Sequence, residues 1–168
     1  MKKIFFICLL SFWVSLSLFA QQRPQFERLK LKTKKDFQLA DSTVLQTSKY
    51  LLAIPITQDT LYRISAAHFL MDWMEGTRDY TFLLDENSTR AFIDDTNLMA
   101  TYIAAMCKSA LSYKPGVTSK KITLDALKLL LAYSNNHNNN VNHTDKLNEL
   151  SKANDKGELD KYLYFNGQ

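Results

Sequence analysis

The stretch LYRISAAHFLMDWME, residues 61–75, decides the fold class. Ile64, Ala66, Ala67, Phe69, Leu70, Met71, Trp73 and Met74 cover nearly the whole circumference of a helix, which predicts the central, mostly buried helix of its domain. The polar positions Ser65, His68, Asp72 and Glu75 fall at i, i+3, i+7 and i+10, so a helix stacks them in one narrow line. Thr57 to Asp59 supply the start, and Gly76 is placed as the C-terminal cap.

A helix buried on so many sides needs helical neighbours, and the flanking sequence supplies them. Upstream, Asp36 can cap a helix running to about Ala53, with Phe37, Ala40, Val44, Leu45, Leu51 and Leu52 as its core stripe and Ile54-Pro55 as its stop. Downstream, DYTFLLD (residues 79–85) is aromatic enough for a strand, but without a partner it reads as an extended connector. Spacing then predicts a helix from about Ser88 to Ser112. It turns Phe92, Met99, Ile103, Met106 and Ala110 inward and sets Asp94, Asn97, Thr101, Lys108 and Ser112 in a polar line. Asp94-Asp95 and Asp85-Glu86 favour the positive end of such a helix.

After the turn at Lys114-Pro115-Gly116, a helix beginning at Thr118 or Ser119 carries Ile122, Ala126, Leu127, Leu130 and Tyr133 inward. Six Asn between Asn135 and Asn142 read as a loop. Thr144 or Asp145 caps a further helix through Leu147, Leu150 and Ala153, and a last one spans Glu158 to Phe165. The expectation is an all-α, irregular bundle of about five or six helices with one short extended connector. No internal period points to a solenoid.

The 168 residues, 46% hydrophobic and 23% charged, with 4 Gly and 3 Pro, suit one compact domain and exclude collagen-like or wholly disordered chains. Residues 1–20 read as a secretory signal peptide. Lys2 and Lys3 are its positive head, Ile4 to Phe19 its apolar stretch, and cleavage after Ala20 leaves Gln21 first. That stretch is short against the roughly 20 residues that span a bilayer. Cys8 lies in its middle, the wrong place for a lipid anchor. The expected product is periplasmic or secreted, with residues 21–35 as a basic N-terminal arm or linker and 36–168 as a single helical domain.

The arm is the clearest electrostatic feature. Arg23, Arg28, Lys30, Lys32, Lys34 and Lys35 stand against Glu27 alone, a net of +5, whereas the remaining 133 residues carry 13 basic and 16 acidic side chains. Such a run suits an acidic partner or an anionic membrane surface, or stays a solvated linker. Nucleic acid is not expected, because the body is mildly acidic and only Phe26 interleaves the arm. One mature cysteine, Cys107, excludes an internal disulfide and reads as a buried small hydrophobe, with a disulfide-linked dimer as the sharper alternative.

The chemically sharpest constellation is His68 and Asp72, at i, i+4, with Glu75 on the same line. It reads either as half of a metal or acid–base site or as a solvent-facing strip. His137 and His143 match no zinc spacing. No Gly-rich phosphate loop, GxSxG, HExxH or CxxC occurs, so an enzyme reading lacks a starting residue and no cofactor or metal is expected.

Asp41-Ser42-Thr43 and Asp59-Thr60-Leu61 fit a short O-glycosylation signal at Ser42 and Thr60, and Asp59 and Thr60 equally fit a helix cap. Asn87-Ser88-Thr89 and Asn142-His143-Thr144 fit the N-glycosylation pattern but are set aside in a chain with a bacterial-looking signal.

Residues 116–133, GVTSKKITLDALKLLLAY, resemble the amphipathic helix of periplasmic immunity proteins of bacterial secretion systems. That likeness implies an exported helical binder. It carries no diagnostic motif and the paired cysteines of that family are absent, so no family is assigned. The expectation is an exported interaction module that binds a protein or envelope partner, with Tyr, Trp and Met side chains as contact anchors. The alternative is a carrier holding an apolar ligand around Met71, Trp73, Met74, Met99 and Met106.

Overall fold

The computed structural model describes residues 23–165; the expected signal peptide lies outside them. The described chain is all helical. Helices α1 (Lys34–Leu51), α2 (Thr60–Gly76), α3 (Glu86–Thr89), α4 (Thr96–Ala110), α5 (Ser119–Ser134), α6 (Asp145–Asp155) and α7 (Leu159–Phe165) follow one another, with a 3-10 turn at His137–Asn139. Residues 79–85 form no ladder and run as the expected connector, laying Tyr80 and Phe82 against Trp73.

The central helix is α4, not α2 as the sequence suggested: α1, α2 and α5 all pack on it. Every residue from Ala100 to Cys107 is buried, and Ala100, Ala104, Ala105 and Ala110 are small enough for neighbours to approach from several sides. α2 keeps one exposed face. α5 turns Ile122, Ala126, Leu127, Leu130 and Tyr133 inward as expected, and Leu147, Leu150, Leu159 and Leu163 close the core from α6 and α7.

Four boundaries move, each for a local reason. α1 begins three residues earlier than expected because Thr33, not Asp36, is its cap. The Thr33 hydroxyl accepts from the Asp36 N–H (3.3 Å) and the Asp36 carboxylate accepts from the Thr33 N–H (2.9 Å). These bonds hold the Asp36 carboxyl below its usual range. The helix expected over 88–112 is broken. Asp85 caps the single turn α3, and Asp95 in extended conformation restarts the chain by accepting from the Asn97 and Leu98 N–H groups.

The break lets Phe92 meet Tyr102 edge-on at 4.9 Å. It also dissolves the polar line expected on this helix, since Thr101 is fully buried. Gly76 is the last helical residue and not a left-handed cap. A Cβ there would come within 2.0 Å of the Phe37 ring, so its role is close approach of α1 to α2. Asp59 precedes α2 with φ 56° and makes no cap bond, because its carboxylate is engaged elsewhere.

Arg63, on the apolar face of α2, is completely buried. Its guanidinium donates to the Leu51, Ile54 and Pro55 carbonyls (3.3, 3.1 and 3.0 Å), to Thr101 Oγ1 (3.0 Å) and to the Tyr133 hydroxyl (3.2 Å). No carboxylate forms an ion pair with it among the described residues. The negative end of α1 takes that place, and Arg63 so ties the end of α1 to α4 and α5. Burial depresses its pKa.

Among the expected contact anchors, Tyr113 is exposed and Tyr62, Tyr80, Met71 and Met99 are half-buried, but several others are core. Trp73 is fully buried, its indole donating to Asp41 (3.0 Å), and Met74 and Met106 are also buried. Desolvation raises the Asp41 carboxyl above its ordinary value. Cys107 is a free, buried thiol pushed up by desolvation, which places it out of reach of a second chain.

Candidate functional site

The exposed face of α2 is where the expected line lies: Ser65, His68, Asp72 and Glu75 are all exposed. What the sequence did not foretell is the opposite wall. Residues 23–31 fold back along α2 as a strap, and the open groove between them measures about 750 Å³. Phe26, Glu27, Leu29 and Leu31 line it from the strap; Ser65, His68, Phe69, Asp72, Glu75 and Gly76 line it from α2.

The strap is fixed by aromatic packing and by one carboxylate. The Phe26 ring is buried and stacks on Phe69 (centroids 4.7 Å apart, 8° between planes), with Tyr62 tilted against it at 5.6 Å. The Tyr62 hydroxyl donates to the Pro24 carbonyl at 2.7 Å. Arg23 Nε donates to Asp59 Oδ2 at 2.9 Å, its terminal nitrogen pairs with the other oxygen, and the Tyr50 hydroxyl donates to the same carboxylate. The Tyr50 and Arg23 donors hold the Asp59 carboxyl below its ordinary value, and the Asp59 carboxylate in turn raises the Arg23 pKa. Burial, with Asp59 beside it, raises the Tyr50 phenol.

The groove is acidic over an apolar floor. Glu27, Asp72 and Glu75 contribute three carboxylates, no lysine or arginine lines it, and the Phe26 and Phe69 rings lie between its walls. No hydrogen bond joins His68 to Asp72. Among the described residues no group of three or more His, Cys, Asp or Glu side chains is placed to hold a metal. The arrangement can attract a cation through its carboxylates and cover an apolar side chain on its floor.

Comparison with family models, with curated proteins and with solved structures found no match.

The basic arm therefore divides by function. Arg23 is a latch, Glu27 a groove residue, and Lys34 and Lys35 belong to the first turn of α1. Arg28, Lys30, Lys32, Lys34 and Lys35 are exposed. A second groove of about 600 Å³ lies on the other side of the strap, between Arg23, Pro24, Gln25 and the Gln46–Ala53 end of α1. A third, of about 390 Å³, lies between residues 90–98 and the start of α6. None of the three is lined by Met71, Trp73, Met74, Met99 or Met106.

Of the histidines in the Asn-rich loop, His143 is tied to the Ser134 carbonyl (2.9 Å) and to Asn148 (3.3 Å), and His137 is exposed. Ser42 and Thr60 are exposed on their helices. Sequence reasoning passed over two residues that organise the site, Arg63 and Phe26. Arg63 shares the stripe of Ala66, Ala67, Leu70 and Trp73 at i+3, i+4, i+7 and i+10, and that position was its available signal. Phe26, the lone aromatic in a charged run, was the signal that the arm folds back.

Proposed function

We propose that this protein is an exported interaction module that holds a cationic, amphipathic segment of a protein partner in the groove between the strap and α2. The observation that carries this reading is the groove itself, with three carboxylates on its walls, no lysine or arginine in its lining and a stacked Phe26–Phe69 pair as its floor. A segment with lysines or arginines at the carboxylates and one apolar side chain on the floor matches it in charge and chemistry. The reading of residues 1–20 as an export leader supports an encounter in the cell envelope or outside the cell.

The test uses a photo-cross-linking residue at Ser65, inside the groove, with a control at Lys152 on α6, both in the native envelope. The expected result is a defined protein adduct at position 65. It should be competed by a Lys/Leu amphipathic peptide, untouched by its Glu/Leu counterpart, and lost on Asp72→Asn with Glu75→Gln. Equal adducts at both positions, or an adduct indifferent to the carboxylates, would refute the reading.

A further inference from the structure

The cations that follow the groove wall in sequence are little used by the fold. Arg28, Lys30 and Lys35 form no ion pair among the described residues, and Lys34 has only a 3.5 Å contact with Asp79. They are nonetheless not carried on a solvated linker. Phe26 before them and Leu31 among them pack against the core, the Leu29 N–H donates to the Phe26 carbonyl, and the Thr33–Asp36 capping box anchors the start of α1.

The result is a ledge of five exposed cations within eight residues, Arg28 to Lys35. Leu29 stands among them 39% exposed, and Leu39 stands one helical turn beyond Lys35 at 67%. An exposed leucine among fixed cations suits a surface that offers both negative charge and an apolar layer beneath it.

We propose that this ledge is a docking surface for an anionic phospholipid bilayer, with the cations at the headgroup phosphates and Leu29 entering the acyl boundary. An acidic protein would use the same cations but offers no such layer for an exposed leucine. No helix of the described chain is long and apolar enough to cross a membrane, so the contact is interfacial. The bilayer contact shares Leu29 with the lining of the groove proposed for the protein partner and uses none of that groove's carboxylates, Glu27, Asp72 and Glu75.

The experiment is sedimentation of the chain from Gln21, which retains the whole described core, with vesicles of phosphatidylglycerol and phosphatidylcholine and with phosphatidylcholine alone, at physiological ionic strength. Binding is expected only to the phosphatidylglycerol vesicles. It should fall roughly five-fold for each cation removed, so that the Gln triple at Arg28, Lys30 and Lys32 loses about a hundred-fold. A Gln triple at Lys128, Lys152 and Lys156 changes the net charge equally and should retain most of the binding.

Leu29→Ser should weaken binding with all cations present. All these side chains are exposed, and unchanged thermal unfolding confirms the fold. The proposal is overturned if neither vesicle binds, if both triples lose equally, if Leu29→Ser binds as well as the parent, or if the ledge captures polyglutamate while ignoring the vesicles.

Discussion

Replacing Arg63 by Met separates two opposed effects at the buried guanidinium. Met fills much of the same space, removes the charge and withdraws five donated hydrogen bonds. Most acceptors keep another donor or partner. The Ile54 carbonyl retains the Tyr133 hydroxyl (2.8 Å), the Pro55 carbonyl retains the Gln58 N–H (3.0 Å), and the Thr101 hydroxyl still donates to the Asn97 carbonyl (2.9 Å). The Leu51 carbonyl at the end of α1 is left without its donor, at a cost of ~1–3 kcal/mol.

Loss of charge-assisted bonds to the other four acceptors adds to that cost. Relief of a desolvated cation, whose pKa burial depresses, acts in the other direction. We expect a net loss of about 2 kcal/mol for Arg63→Met, and about 4 kcal/mol for Arg63→Ala, where a cavity is added. Urea unfolding followed by far-ultraviolet circular dichroism reads this directly. With a slope of about 2 kcal/mol per molar, the Met variant should shift the midpoint down by about 1 M at unchanged slope. A Met variant as stable as the parent, or more so, would refute the argument that Arg63 ends α1 and joins it to α4 and α5.

Three further outcomes follow from single contacts. Because Arg23 and Tyr50 depress the Asp59 carboxyl, its support of the strap is complete above the ordinary aspartate value of about 4 and is lost as pH falls below it through the folded value. Hydrogen exchange at residues 23–31 should rise over that acid range before the core opens, and Asp59→Asn should show the rise at neutral pH. Equal protection of the strap across the range would contradict the latch.

Gly76→Ala should cost about 1–3 kcal/mol by driving a Cβ into the Phe37 ring. Phe37→Leu should recover part of the loss in the double variant, and additive effects would rule out the clash. In the chain from Gln21, Cys107 should resist thiol reagents until the protein is unfolded, and rapid labelling of the native state would exclude its burial.

The residues that fold locally were readable in order, and the failures mark where local signals compete. Thr118 and Thr144 cap their helices as the sequence indicated, because a hydroxyl reaching an N–H three residues on needs nothing beyond the segment. At Asp36 and Asp59 the same chemistry misled: Thr33 and Asp36 satisfy each other, and Asp59 is taken by Arg23 and Tyr50, 36 and 9 residues away in the chain. The break before α4 was illegible because periodicity continues through it. The Asp95 cap and the packing of Phe92 on Tyr102 make two helices of one.

The sequence by itself determined the helical class, the inward stripe of α5, the extended connector, the polar line on α2 and the excess of positive charge in residues 21–35. Each rests on spacing or composition along a single segment. Tertiary structure alone decided that α4 is central, that Arg63 is buried against the end of α1, and that the strap folds back to make the groove beside His68, Asp72 and Glu75. These depend on which faces meet. Arg63 is held inside because carbonyls at the end of α1 converge on it with Thr101 and Tyr133, and the charged arm docks here where Phe26 finds Phe69.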